Sequence, residues 1–299
     1  MLNSSSLPQA FAKCKDITEF HAKSFAFAAK KLPPDLAQDV YAVYAFCRIT
    51  DDLVDEQKEK TAEEIETDLN SWKQDFHQAL ETKTSSHPVL LAFVDVLNRR
   101  PISASLADEL IAGVSMDIEK TDQPQRFETF KDVETYCYYV AGVPGLMMAQ
   151  LFGITNKDVL NQAVLLGKAM QITNILRDIA DDQTRNRLYL ATEDLHQFGV
   201  SEADLAAQKI TPELKQLMKH YIAIARTWYK QAQPGIGFLP SQIQVSIYSA
   251  SRIYEKILTQ IEKKQYDIFS GRVFTSKLSK IRSFVRIYLT HKLTYKPKK

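Results

Sequence analysis

Two short acidic clusters hold the residues of this sequence best suited to chemistry. The first closes an apolar run, YAFCRITDDLVDE (Tyr44–Glu56), and crowds Asp51, Asp52, Asp55 and Glu56 into six positions. Like charges at i,i+4 on a helix repel by about 0.2–0.5 kcal/mol per pair, so something that binds there must offset the crowding. The second, DIADD (Asp178–Asp182), repeats the spacing 127 residues later, again with two aspartates four positions apart. One D-x-x-x-D is most often a solvated helix face. Two become informative through the direction in which each points.

At about 100° per residue, Val40, Tyr44 and Cys47 lie on the stripe that Asp51 and Asp55 continue. An apolar stripe faces inward, so these carboxylates are expected to face inward too. On the second helix Gln171, Asn174 and Asp182 fall within about 40° of Asp178, with Gly167 and Val164 behind them. Leu165, Leu166, Met170, Ile172, Ile175, Leu176 and Ile179 fill the rest of the circumference. A helix apolar on most sides is buried. The stripe Gln171–Asn174–Asp178–Asp182 is then expected to line an internal cavity.

Carboxylates inside a protein are costly unless they protonate or meet cations. Oxygen ligands one turn apart on two helices suit a hard divalent ion. Mg²⁺ takes few carboxylates, together with waters and phosphate oxygens. The expected site is a cluster of Mg²⁺ ions, with Mn²⁺ the alternative, held between the two ladders and a bound diphosphate. Arg48 and Arg177 stand near enough in sequence to contact the phosphate.

Other groups are weaker signals. HAKSF offers His21, Lys23 and Ser24 to a phosphate, although Lys-Ser is also common at helix starts. YCYYVAGVPG (Tyr136–Gly145) combines tyrosine hydroxyls with small residues that let a ligand approach; a kinked core helix is the other reading. ASRIYEKIL places Arg252 and Tyr254 at an expected helix start, with core packing as the alternative role for Tyr254. The six histidines show no metal-ligand spacing, and no nucleophile elbow, P-loop or G-x-G-x-x-G is present.

The elements that must position these groups are helices. Nearly every segment has helical periodicity and alternating runs are scarce. Breaks are expected at Pro33-Pro34, TSSHP (84–88), Pro101, TDQPQ (121–125), GITN (153–156), after Asp182, at Gly199, at QPGIGFLP (233–240) and at Gly271. Prolines and Asp35 open one helix at PPDLAQD, and Thr155 or Asn156 caps another. No linker divides the 299 residues, so the expectation is a single all-α domain over 1–299 with roughly eight to ten helices.

Composition excludes several function classes. Hydrophobic content of 45% and charged content of 25% are ordinary for a globular chain. The three cysteines make no C-x-x-C and no disulfide framework, pointing to a reduced, cytoplasmic setting. No signal peptide is evident, and the longest mostly apolar run, 138–154, is too interrupted for a membrane span. The basic C-terminal stretch 277–299 takes eight of the 38 Lys/Arg and none of the 36 Asp/Glu, leaving 1–276 acidic by six charges. An acidic body does not suggest a nucleic-acid binder. Leu278, Ile281, Val285 and Tyr288 keep helical spacing in that stretch, an amphipathic element that could touch anionic lipid at the inner membrane face or pack as a last core helix.

From about His21 to Phe274 the chain resembles the head-to-head trans-isoprenyl diphosphate synthases: squalene, dehydrosqualene and phytoene synthases. YAFCRITDDLVDE and QITNILRDIADDQTRNRLYL look like the family's two signatures, with HAKSF, YCYYVAGVPG, LYLATEDLHQFGV and QYDIFSGRV in the expected order. The resemblance implies an all-α isoprenoid synthase fold, a helical bundle around a central hydrophobic cavity. It also implies Mg²⁺-assisted condensation of two prenyl diphosphates through a cyclopropylcarbinyl diphosphate, followed by ionisation, rearrangement and proton loss. By carry-over, Asp51, Asp52, Asp55, Asp178 and Asp182 hold metal with Asn174 assisting. His21, Lys23, Ser24, Arg48, Arg177 and Arg272 lie near diphosphate, Tyr44, Tyr136 and Tyr254 near the leaving group, and Gln171 beside the cavity.

Within the family, RLYLATEDLHQFGV and PGIGFLP look most like the bacterial carotenoid branch, and no NADPH is expected. Ala191 stands where the LYLP pattern has Pro. Ala26, Ala28 and Ala29, if they line the far wall, leave room for a long chain. The reading is therefore two geranylgeranyl diphosphates to phytoene, with two farnesyl diphosphates to dehydrosqualene or squalene as the alternative. A head-to-tail elongase or terpene cyclase would arrange its acids differently. A non-catalytic assembly protein on the same fold would be free to lose them.

Overall fold

The structure is a computed structural model and describes residues 6–55, 60–118 and 125–271, apart from the side chains of Ser24 and Gln125. Glu56, most of the expected TDQPQ break, Arg272 and the basic stretch 277–299 lie outside the described residues. In chain order the helices and strands are α1 (Leu7–His21), α2 (Lys23–Ala29), α3 (Pro34–Asp55), α4 (Ala62–Thr82), α5 (Pro88–Arg99), α6 (Ser105–Ser115) and β1 (Gln125–Phe127). Then come α7 (Phe130–Cys137), a π-helical turn (Tyr138–Gly142), α8 (Val143–Leu151), α9 (Lys157–Gln183), β2 (Arg187–Ala191), α10 (Thr192–Phe198) and α11 (Glu202–Ala206). The last are α12 (Pro212–Ala232), a 3₁₀ turn (Gln233–Phe238) and α13 (Ser241–Lys263).

The expected punctuation explains most boundaries. Pro34 opens α3, Pro88 opens α5, and Gly199 ends α10 in the left-handed region at φ 70°. Asn156 is the cap of α9: its Oδ1 accepts from the N–H groups of Asp158 (2.9 Å) and Val159 (3.3 Å). Thr61 with Glu64, and Thr129 with Asp132, form capping boxes for α4 and α7.

Thirteen α-helical segments among the described residues exceed the eight to ten expected. Two of the extra breaks stand beside Pro or Gly, at Gly142 and before Pro212, and another carries neither. It falls at Ala22 (φ −133°, ψ 58°), between α1 and α2. Arg252 and Tyr254 stand well inside α13, which starts at Ser241, eleven residues before Arg252, rather than at a helix start. A short parallel pair, β1 with β2, was also not legible as strands, because all five β2 residues are buried and show no alternation.

By Cα proximity the chain forms two compact units, each drawn from three stretches. The first comprises residues 1–120, 143–160 and 239–246; the second comprises 121–142, 161–238 and 247–299. In the first unit Phe46 of α3 stacks on Phe93 of α5 at 4.0 Å and on Trp72 of α4 at 5.9 Å, all of them buried. Asp39, with 1% of its side chain exposed, accepts from Arg99 Nη2 and Arg100 Nε, both at 2.6 Å, which ties the start of α3 to the end of α5. Trp72 Nε1 donates to Thr50 Oγ1 at 3.0 Å, one residue before the first acids.

In the second unit α9 is the spine. Ala169, Ile172, Thr173, Ile175, Leu176 and Ile179 are buried, whereas Leu165, Leu166 and Met170 are only half-buried, so α9 is less enclosed than its composition suggests. Gly167 lets the π-helical turn come close: a Cβ there would lie 2.2 Å from the Ala141 carbonyl oxygen. Thr173 shares a hydrogen bond with Tyr229 of α12 at 3.0 Å, and buried Lys168 pairs with Glu134 of α7.

Candidate functional site

The inward stripe of α3 has the expected order. Val40 is buried, and Tyr44, Cys47, Asp51 and Asp55 follow it as half-buried residues. Arg48 bends along the helix toward the acids, reaching Asp51 at 3.6 Å and pairing with Asp52. Desolvation works against its charge, but Asp52 and then Asp51 outweigh that and raise the guanidinium's pKa. Tyr44 lies 5.5 Å from the Phe25 ring, and burial pushes its phenol up.

Asp51 has a strongly perturbed carboxyl. Desolvation, then the charge of Asp55, push its carboxyl up to about 7 against the opposing pull of Arg48. Water still reaches 45% of the side chain, so the carboxylate has an open face that a cation can take. Asp117, 7% exposed and just beyond α6, adds to the same push. Sequence reasoning missed Asp117; its segment, VSMDIEK, has no spacing that would have marked it.

The α9 stripe is also present, with Gln171, Asn174, Asp178 and Asp182 all half-buried. Asn174 Nδ2 donates to Gln171 Oε1 at 3.3 Å, while Asn174 Oδ1 is buried with no hydrogen-bond partner among the described residues. A buried carbonyl oxygen left this way costs about 1–3 kcal/mol unless a ligand satisfies it. Arg177 closes on its neighbour Asp178, Nε to Oδ1 at 2.7 Å with a second contact from Nη2. Its pKa is raised: burial opposes the charge, and Asp178 and Tyr254 more than restore it. Tyr254 therefore joins this group through Arg177, whereas Arg252 is exposed and pairs with Glu255.

The remaining candidates are placed as follows. His21 ends α1 and Lys23 begins α2, both exposed, with the His21 ring edge-on to Phe20 at 4.8 Å. Tyr136 is 4% exposed, stacks on Tyr189 at 5.0 Å and meets the Phe127 ring at a tilt at 5.3 Å. Ala26, Ala28 and Ala29 are all buried. Ala191 adopts φ −66°, ψ 138°, angles that proline also takes, and its N–H donates to Tyr221 Oη at 3.1 Å. A cavity of 310 Å³ in the second unit takes Ala180, Gln183 and Thr184 of α9 and not the acids.

Divalent metal fits these residues at the level of pairs. Among the described residues no three His, Cys, Asp or Glu side chains converge as a ready-made cage. The fit rests on the Asp51–Asp55 repulsion and on the orphaned oxygen of Asn174, both of which a hard cation relieves.

Residues 19–279 match the family model for squalene/phytoene synthase. The phytoene synthase of Arthrospira platensis is 33% identical over 288 residues, 91% of this chain and 90% of that protein. The 15-cis-phytoene synthase of Synechococcus elongatus is 33% identical over 294 residues, covering 93% of this chain and 92% of its own. A crystal structure of a dehydrosqualene synthase in complex with ligand superposes with a TM-score of 0.83 at 32% identity, over 96% of this chain and 98% of that one.

Proposed function

The chain belongs to the squalene/phytoene synthase family, and on that footing we propose that it is a prenyltransferase joining two prenyl diphosphates head to head. The substrate we assign is geranylgeranyl diphosphate and the product phytoene, formed without NADPH. We read the whole chain as one all-α catalytic domain of the isoprenoid synthase fold, active in the cytoplasm. The observation that carries the reading is the pair of half-buried acid ladders, Asp51–Asp55 and Asp178–Asp182, each flanked by an arginine.

Asp51, Asp52 and Asp55, and on α9 Asp178 and Asp182 with Asn174, would hold Mg²⁺. Bound there, Mg²⁺ neutralises diphosphate and makes it a leaving group. Arg48 and Arg177, kept cationic by their aspartates, add fixed positive charge for diphosphate oxygens. Tyr44, its phenol pushed up by burial, stays protonated and able to donate a hydrogen bond, and Tyr254 stands beside Arg177. Gln171 offers a neutral polar group that a carbocation tolerates without being quenched, and apolar surroundings exclude water.

Chain length we assign from α2. Ala26, Ala28 and Ala29 are small and buried, which favours the 40-carbon product over the 30-carbon one. Ala29→Phe should shift product toward 30 carbons when both substrates are offered; an unchanged product ratio contradicts the steric argument. The reading as a whole is tested by incubation with Mg²⁺ and either farnesyl or geranylgeranyl diphosphate, with and without NADPH, and mass-spectrometric identification of the hydrocarbon. Phytoene from the longer substrate, indifferent to NADPH, is the expected result. Dehydrosqualene or squalene as the main product overturns the substrate assignment, and no hydrocarbon from either substrate overturns the activity.

A further inference from the structure

Among the described residues the large apolar side chains left exposed are Leu7 (36%), Phe20 (76%) and Phe27 (61%), and all three lie on α1 and α2. α2 is built in reverse of an ordinary surface helix. Its alanines Ala26, Ala28 and Ala29 are buried while its Phe27 stands in solvent, forgoing the gain that burying an aromatic brings. Lys30 and Lys31 follow directly on the last turn of α2. Lys31 Nζ sits 5.0 Å from the Phe27 ring centroid. On α1, Lys13 shares the side of Phe20, two turns away.

The charge of this corner runs against that of the body. Lys13, Lys15, Lys23, Lys30 and Lys31 are all exposed, and the acids among residues 13–31 are Asp16 and Glu19. Glu19 is engaged by Lys30 at 2.8 Å and by Lys15 at 3.9 Å. Exposed phenylalanines on a segment with exposed lysines match the interface of an anionic bilayer: rings enter the boundary between headgroups and acyl chains, and ammonium groups meet lipid phosphates. No helix among the described residues is long and apolar enough to cross a membrane.

We propose that the α1–α2 corner docks this protein on an anionic lipid surface, with Phe20 and Phe27 inserted and the surrounding lysines facing the headgroups. This surface is distinct from the basic stretch 277–299. The use we give it rests on the proposed function: a hydrocarbon product with no affinity for water leaves most readily from an enzyme already seated on a bilayer.

The test uses the full chain without substrate, so its outcome is independent of the reaction. Wild type should cosediment with vesicles containing phosphatidylglycerol, less so at high salt, and hardly at all with phosphatidylcholine alone. Phe20→Ser/Phe27→Ser should weaken that binding by about tenfold or more, and Lys30→Glu/Lys31→Glu should remove the preference for anionic lipid. Hydrocarbon formation in detergent should be unchanged in both. In Phe27→Trp the added indole should be quenched by brominated lipid. Binding by the phenylalanine double variant equal to wild type, or no quenching of Trp at position 27, overturns the proposal. So does a lipid-free dimer of the wild type that the phenylalanine double variant dissolves, which would assign the patch to a second copy of the chain.

Discussion

On α3 the acids gather around one arginine, with Arg48 reaching Asp51 at 3.6 Å and pairing with Asp52, whereas on α9 Arg177 closes on the adjacent Asp178. The same D-x-x-x-D spacing thus meets two electrostatic settings. In the first, Asp51 lies beside Asp55 and Asp117, and its carboxyl is pushed up by burial and by their charge. In the second, the guanidinium already balances Asp178, and the unsatisfied group is a neutral one, Asn174 Oδ1. One ladder needs positive charge; the other needs a partner for an oxygen. A hard cation can supply either one, which is why equal spacing can hide unequal demands.

The supports behind the ladders differ as well, and that difference can be broken one side at a time. α3 is held by charge, through Asp39 between Arg99 and Arg100. Asp39→Ala leaves two guanidiniums without their buried partner and should cost about 3 kcal/mol in urea unfolding. A loss below about 0.5 kcal/mol would show that the clamp is not what fixes the start of α3.

α9 is held by close contact at Gly167. Gly167→Ala places a methyl 2.2 Å from the Ala141 carbonyl, and backbone cannot rotate away as a flexible side chain does. A loss of about 2 kcal/mol is expected. Full stability in this variant would mean that the π-helical turn yields easily, and that α9 is positioned by something else.

A smaller effect sharpens the electrostatic half of the comparison. Asp51 is raised from its ordinary 3.8 to about 7, so between those values the metal-free native state holds a proton that the unfolded chain releases. Its contribution therefore favours the native state less and less as pH rises through that window, and levels off above it. In EDTA, the Tm of wild type minus that of Asp51→Asn should fall between about pH 4 and pH 7 by a few degrees. Added Mg²⁺ should restore wild type near neutral pH and leave Asp51→Asn little changed. A Tm difference flat with pH contradicts the assignment of Asp51 as the strained acid.

What the sequence made legible followed from periodicity. Val40, Tyr44, Cys47, Asp51 and Asp55 share a face because i and i+4 positions must, and the same rule found Gln171, Asn174 and Asp178. The pairing of Arg177 with Asp178 escaped it, since adjacent helix positions do not face each other; only a long guanidinium side chain can fold back that far. Asp117 escaped because its nearness to Asp51 is tertiary. The break at Ala22 and the β1–β2 pair depend on packing that no local residue type announces, whereas the π-helical turn falls in the segment read as a kinked core helix. In α9 composition overstated burial, leaving Leu165, Leu166 and Met170 half-exposed to whatever lies beside them.

The central claim is that both ladders serve one reaction. The direct measurement is single-turnover release of diphosphate from geranylgeranyl diphosphate, across a Mg²⁺ titration, by wild type, Asp51→Asn and Asp178→Asn. Each variant should be slower by about 10²–10³, with Asp51→Asn needing more Mg²⁺ to reach its own maximum. Either variant releasing diphosphate at the wild-type rate would contradict the account.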